Sequence, residues 1–210
     1  MVGDTVMKIG ESTIERMVHY HRVLSRLIDE KRRFVSSKQI ADILTLTDSQ
    51  VRKDLSCFGE IGRRGIGYSV RKLYNRIDGM LETDKVWKVA LAGVGHLGRA
   101  LIGHSDYYSD KFAVEALFDV SPDIVGTNIY GIQCYSDDYI AEVFRAKEIE
   151  ILILAVPDSA AQSCIDAAAL SGTLRGVLSF ASSAVTVPDG VLFYRVDFLA
   201  ALEKLFYYLK

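Results

Sequence analysis

Proline, cysteine and long apolar stretches are all scarce in this chain. Only 3 of its 210 residues are proline and 3 are cysteine, and no run approaches the about 18 uninterrupted apolar residues that a membrane helix needs. The first 30 residues carry charge at nearly every turn, which excludes the apolar segment of a signal peptide. Cys57, Cys134 and Cys164 are odd in number and share no metal-ligand spacing, so the expectation is reduced thiols in the cytoplasm, with no metal and no membrane partner. Hydrophobic residues make up 50% of the chain and charged residues 25%. Those proportions suit globular cores, and two small domains are expected at this length.

The net charge of −2 conceals two unlike parts. Residues 1–80 hold 15 Lys+Arg against 10 Asp+Glu, whereas residues 81–210 hold 10 against 17. A basic amino-terminal third points to a polyanionic partner, and the acidic remainder has a different task.

Three capping patterns divide the basic part into helices. Ser12 with Glu15 precedes Ile14, Met17, Val18, His21, Leu24, Leu27 and Ile28 at helical spacing; Ser36 with Gln39 precedes a second helix, and Thr47 with Gln50 a third. In the third, Val51, Leu55 and Phe58 form a narrow apolar stripe, while Ser49, Gln50, Arg52, Lys53 and Ser56 occupy the other faces. A short helix anchored along one side and polar on the other suits the major groove of DNA. The segment GEIGRRGIGYS at 59–69 then predicts a two-stranded wing with Arg63, Arg64 and Gly65 at its tip and Tyr68 on its return strand, with the guanidinium groups suited to a narrow minor groove. Val70, Leu73, Ile77, Met80 and Leu81 predict a fourth helix over about 70–81, with a domain boundary after it. The divisions read from the sequence are 1–84, 85–197 and a last helix over 198–210.

From Trp87 the pattern changes to near-continuous apolar strands, WKVALA, FAVEALFDV, EILILAV, GVLSFA and VLFYRV, separated by helical segments. Such alternation predicts a doubly wound α/β domain with a parallel sheet. GVGHLG at 93–98 follows the first of these strands directly and opens a helix. Gly93, Gly95 and Gly98 serve the tight turn, the close approach to a pyrophosphate and the helix packing, and the N–H groups of the loop through Val94, His96 and Leu97 face the phosphates. Asp119 ends the next strand, 21 residues beyond Gly98, where a carboxylate accepts the ribose hydroxyls and repels a 2′-phosphate; NAD and NADH are therefore expected rather than their phosphorylated forms. Val156 and Pro157, and then Phe180 and Ala181, end two further strands where the cofactor crosses the sheet.

A dehydrogenase is the alternative reading, since most such folds belong to oxidoreductases. It runs short of chain: residues 86–197 are consumed by the nucleotide fold, and no His, Lys or Tyr stands in a recognisable hydride-transfer arrangement. A purely structural protein would leave both the glycine loop and the double-arginine wing without a role.

The runs QVRKDLSCFGEIGRRGIGYSV, VALAGVGHLGRAL, FDVSPDIVG, AVPDSAAQ, LSFA and VDFLAALEKL resemble the Rex family of redox-sensing transcriptional repressors, in the family's order and over nearly the whole chain. The resemblance implies a winged-helix domain joined to a Rossmann domain that binds NADH, a homodimer with exchanged carboxy-terminal helices, and release from operator DNA when NADH binds. It implies DNA contacts for Arg52, Lys53, Ser56, Arg63 and Arg64, and a switch contact between Arg22 and Asp197. Where the family commonly has a tyrosine after the first Rossmann helix, this chain has His104, with Tyr107 and Tyr108 close by. In the last helix Phe198, Ala201, Leu202, Leu205, Phe206 and Leu209 form a wide apolar face that a second chain is expected to cover. Pro157, Phe180, Ala181 and the partner subunit's Phe198 would then favour the neutral reduced nicotinamide ring over the charged oxidised one.

Overall fold

Helix ends in the first part of the chain are set by side-chain caps, and the computed structural model shows where. It describes residues 10–59, 61–63, 65–81, 85–103 and 111–209, in two units, Met1–Thr83 and Asp84–Lys210. In the first unit, α1 (Glu11–Asp29), α2 (Ser37–Leu44), α3 (Asp48–Leu55) and α4 (Val70–Leu81) pack around Met17, Tyr20, Leu24, Ile40, Val51, Leu55, Leu73 and Ile77. Ser36 caps α2 with both bonds of a capping box, and Thr47 accepts from the Gln50 N–H at the start of α3. The expected cap of α1 is different: Gly10 is the N-cap, no side chain caps it, and Ser12 lies inside the first turn. The buried face of α1 also shifts by a residue or so, because Tyr20 is fully buried and Ile14 is 44% exposed.

Three short strands, β1 (Phe34–Val35), β2 (Gly62–Arg63) and β3 (Gly67–Ser69), make an antiparallel sheet in the order β1-β3-β2. β2 and β3 are the wing. Gly67 needs its left-handed φ of 93°, and a Cβ there would strike the Val35 carbonyl. Helices α2 and α3 with this wing form a winged-helix unit.

The second unit is a seven-stranded sheet, β10-β9-β8-β4-β5-β7-β6, parallel except for β6. Its strands are β4 (Trp87–Ala92), β5 (Phe112–Asp119), β6 (Asn128–Ile129), β7 (Ile132–Ser136), β8 (Ile151–Leu154), β9 (Gly176–Ser179) and β10 (Leu192–Arg195), and its helices α5 (His96–Ile102), α6 (Ile140–Lys147), α7 (Asp158–Ala169) and α8 (Phe198–Tyr208). Successive residues of β4 serve opposite faces: Ala90 and Ala92 join a core with Phe118, Phe144, Leu152 and Ile165, while Leu91 joins Val94, Ile102, Leu117 and Cys134. This alternation is what a sheet covered on both sides requires. The strand order reverses between β4 and β8, the switch point at which Rossmann folds bind nucleotides. The β6–β7 hairpin is additional to the five strands expected from sequence. It turns through Tyr130 and Gly131, both left-handed (φ 52° and 83°), as a two-residue primed turn demands.

Helix α8 buries none of its residues. Phe198 is 71% exposed and Leu209 74%. Among the described residues no helix is long and apolar enough to cross a membrane.

Candidate nucleotide site and nucleic-acid interface

A groove of about 910 Å³ runs between α3 and the wing, with Ser37, Arg52, Ser56, Arg63, Gly65 and Tyr68 among its walls. Ser49, Arg52, Lys53, Ser56, Arg63 and Gly65 are exposed and Tyr68 half-buried. Arg52 is held by Asp48 one turn earlier, and the Ser56 hydroxyl donates to the Lys53 carbonyl at 2.6 Å. Arg64 lies outside the described residues. Gln50 is placed differently from its expected role: half-buried, its amide donates to Asp54 Oδ1 at 2.8 Å.

Asp54 is the residue that sequence reading missed. It sits on the inner face of α3, 4% exposed, and its carboxylate also accepts from Arg16 Nε at 2.6 Å, Arg16 Nη2 at 2.9 Å and the Tyr20 hydroxyl at 2.7 Å. Burial alone would raise its pKa, but the bonds from Arg16, Tyr20 and Gln50 outweigh it and hold the carboxyl below its ordinary range. Burial and the same carboxylate push the Tyr20 phenol up. Helix α3 is therefore braced against α1 by a bidentate ion pair rather than by its apolar stripe alone.

In the second unit each glycine of GVGHLG has a distinct neighbour. Gly93 is left-handed (φ 91°), and a Cβ there would overlap the Ala155 carbonyl of the adjoining strand end; a Cβ on Gly98 would overlap the Gly93 carbonyl. Around Gly95 nothing lies within 4 Å of a Cβ position. Gly95 is also the N-cap of α5, and no side chain bonds to the helix start, so the first N–H groups of α5 have no intrahelical acceptor. His96 and Leu97 are exposed, and Val94 is buried. The Val94 N–H donates to Asp119 Oδ2 at 2.7 Å and the Ser121 N–H to Oδ1 at 2.9 Å. The carboxylate is thus fixed beside the loop. A cavity of about 100 Å³ adjoins it, walled by Gly93, Phe118, Asp119, Val120, Asp137, Val156, Pro157, Ala160 and Cys164. Of these, Phe118, Val120, Asp137, Ala160 and Cys164 were not singled out by their sequence pattern. The geometry fits a dinucleotide: open space at the one glycine where a pyrophosphate must approach, an uncapped helix start beside it, and a carboxylate at the end of the second strand.

The Phe180 N–H bonds to the Leu154 carbonyl and Ala181 is buried, its N–H held by the Ser179 hydroxyl. Phe198 begins α8 in the open. Asp197 is exposed and caps α8 by accepting from the Ala200 N–H at 2.8 Å. Arg22 is exposed on α1. His104 falls outside the described residues. Cys57 is half-buried and Cys134 and Cys164 are buried. Burial, and then Asp119 and Asp137 respectively, push the Cys134 and Cys164 thiols up to about 11. No three His, Cys, Asp or Glu side chains group as metal ligands among the described residues.

Residues 8–56 match the family model described as Putative DNA-binding protein N-terminus, and residues 84–183 the model described as CoA binding domain. The chain is 38% identical over 206 residues to the redox-sensing transcriptional repressor Rex of Roseiflexus sp. (strain RS-1), covering 98% of this chain and 93% of that one. It is 33% identical over 202 residues to the repressor of the same name from Clostridioides difficile (strain 630), covering 96% of each. Among solved structures, RSP, a Rex-family repressor, in complex with beta-NAD+ and operator DNA superposes with a TM-score of 0.87 at 28% identity, over 97% of this chain and 93% of that one. The same protein in complex with beta-NADH gives 0.84 at 27%, over 97% and 95%.

Proposed function

The chain belongs to the Rex family of redox-sensing transcriptional repressors, and we propose from that premise how its two units work as one switch. It is a repressor and not an enzyme: as a homodimer it binds operator DNA, and it leaves the DNA when NADH fills the second unit. It does so in the cytoplasm.

The observation that carries this reading is the anchored carboxylate beside an open Gly95. Backbone N–H groups of residues 95–98 hold the pyrophosphate, and Asp119, already fixed by Val94 and Ser121, accepts the adenosine ribose hydroxyls. The same charge repels a phosphate ester on either hydroxyl, which disfavours NADP(H) and coenzyme A alike. Val156, Pro157, Phe180 and Ala181, with the partner subunit's Phe198, cover the nicotinamide ring. The bound dinucleotide supplies a ring that is neutral when reduced and cationic when oxidised, and apolar walls favour the neutral form. Cys134 and Cys164 are ill placed for thiol oxidation, since both are buried and their thiols are pushed up to about 11.

On the DNA side, Ser49, Arg52, Lys53 and Ser56 read from α3, and Arg63, Arg64, Gly65 and Tyr68 grip from the wing; Gln50 braces Asp54. The two states are distinguished by Asp197, which pairs with Arg22 in the DNA-bound form and moves to His104 or a nearby tyrosine when α8 closes over NADH. A ligand shifts such an equilibrium only through differential affinity for the two states. The test is operator binding by the purified chain, titrated separately with NADH and NAD⁺. NADH should release the DNA at the lower concentration, and a complex indifferent to both dinucleotides would overturn the reading.

A further inference from the structure

Between α1 and β1 the chain runs through Lys31, Arg32 and Arg33, all exposed. With Arg71 at the start of α4 they ring a hollow of about 410 Å³, floored by Phe34 and Ser69. The hollow has four cations and no carboxylate in its walls, and none of the four has an ion-pair partner among the described residues. The nearest acid on α1 with a defined contact, Glu30, is taken by Arg26 at 3.0 Å. Nor is this a loose loop. The Lys31 N–H donates to the Ile28 carbonyl at 2.9 Å, the Arg32 N–H to the Leu27 carbonyl at 2.9 Å, and the Val70 N–H to the Arg33 carbonyl at 3.1 Å. Like charges held together on a fixed backbone repel one another unless an anion neutralises them.

The place of the hollow says which anion. β1 and β3 run antiparallel, with Val35 opposite Tyr68 and Phe34 opposite Ser69. Tyr68 and the neighbouring Ser36 and Gly67 line the groove between α3 and the wing, while Phe34 and Ser69 line the hollow. The same strand pair thus joins the two, and from Ser36 back to Arg33 is about 10 Å of strand. A duplex advances 3.4 Å of helix axis per nucleotide of each strand, so the offset spans at most about three nucleotides. We propose that this hollow is a second phosphate track, which holds the operator's backbone beyond the half-site gripped by α3 and the wing.

The proposal rests on the first unit's reading as a DNA binder, and the experiment separates the two. Full-length protein selects its preferred duplex from a randomised pool, and the selected core is then placed in duplexes with flanks of about two and about ten base pairs. The wild type should bind the longer duplex about tenfold more tightly, with a steeper salt dependence between about 50 and 200 mM. The chain carrying Arg32→Ala, Arg33→Ala and Arg71→Ala should keep its affinity for the short duplex and lose the advantage of the long one, its log–log salt slope falling by about 0.9 for each phosphate it no longer neutralises. Replacing the same arginines by lysine should restore most of that advantage. A flank advantage that survives the triple alanine variant, or an equal loss on both lengths, overturns the second track alone. Failure to select any duplex overturns the DNA reading and this proposal with it.

An independent observation concerns the cavity beside Gly93. Its walls are apolar except for two carboxylates, and Asp119 already receives two backbone N–H groups. Among the described residues Asp137 Oδ1 receives only the Ser136 hydroxyl, at 3.4 Å, and its charge is felt by Cys164 in the same cavity wall. Such a carboxylate calls for a donor on the ligand. We infer that Asp137 accepts the exocyclic amine of adenine and is the residue that distinguishes adenine from a 6-oxopurine. Calorimetric binding of NADH and of reduced nicotinamide hypoxanthine dinucleotide should show about a tenfold preference for NADH. Asp137→Asn, whose amide can donate to a 6-oxo group, should bring the ratio close to unity. Equal binding by the wild type, or a ratio unchanged by the substitution, overturns this assignment; binding of neither dinucleotide overturns the nucleotide site itself.

Discussion

Arg16→Ala removes the partner that makes a buried Asp54 tolerable. The carboxylate is 4% exposed, and two of its four side-chain hydrogen bonds, at 2.6 and 2.9 Å, come from this one guanidinium. Breaking a buried ion pair from one side costs about 3 to 5 kcal/mol. Tyr20 and Gln50 remain to hold the carboxylate, and the Arg16 side chain is 20% exposed, so the lower figure applies. About 3 kcal/mol corresponds to roughly a hundredfold larger opening equilibrium. Amide hydrogen exchange in the full-length protein reads this directly, on peptides spanning α1 to α3.

The pH dependence has a definite sign. Asp54 is held below the ordinary carboxylate range despite its burial, so its stabilising contribution is complete at neutral pH and is lost only as pH falls through the depressed native value. In Arg16→Ala burial has less to oppose it and the carboxyl titrates higher. The difference between the two proteins should therefore be widest near pH 7, narrow as pH falls through the variant's raised value, and close only below the depressed value of the wild type. Exchange rates in α1 to α3 that differ by less than about threefold at pH 7 would refute the brace.

Two glycine substitutions should part company. Gly98→Ala collides with the Gly93 carbonyl and should lower the melting temperature of the second unit, whereas Gly95→Ala has open space and should fold normally yet lose NADH binding at least tenfold by calorimetry. Leu205→Lys with Phe206→Lys places two charges on side chains that are 51% and 53% exposed in the single chain; sedimentation should show a monomer where the wild type is a dimer. Asp197→Ala removes the cap of α8 and the proposed partner of Arg22. NADH should still bind it, but the concentration needed to release DNA should shift by about tenfold or more, which parallel titrations will show.

Local chemistry was legible wherever both partners lie within a few residues. Ser36 and Gln39 make the two bonds their spacing implies, and α4 spans the expected residues because its apolar positions repeat without interruption. Ser12 and Glu15 have the same spacing but not the same role, because Gly10 is already extended and starts α1 two residues early. The β6–β7 hairpin escaped notice because a two-residue strand has no period to detect; its signal was the Tyr130–Gly131 turn. Asp54 left a trace too, an acid three residues along an apolar stripe from Val51. Its partner Arg16 is 38 residues away in sequence, and nothing local indicates which of the unit's many cations faces it. Gln50 is a different case, since its acceptor Asp54 is only four residues on. Its spacing from Thr47 marks a cap, but the acceptor its amide uses is set by the burial of Asp54.

The bare face of α8 has a genetic consequence. If one subunit's Phe198 finishes the ring site of the other, a chain altered at Phe198 alone keeps its dimer face and its own glycine loop but spoils its partner's site. Mixed with normal chains, it would form dimers that still reach the operator yet answer poorly to NADH. Such alleles would act dominantly, silencing target genes in the presence of a good copy, whereas chains damaged in α3 would lower operator occupancy by drawing normal chains into dimers with one reading unit.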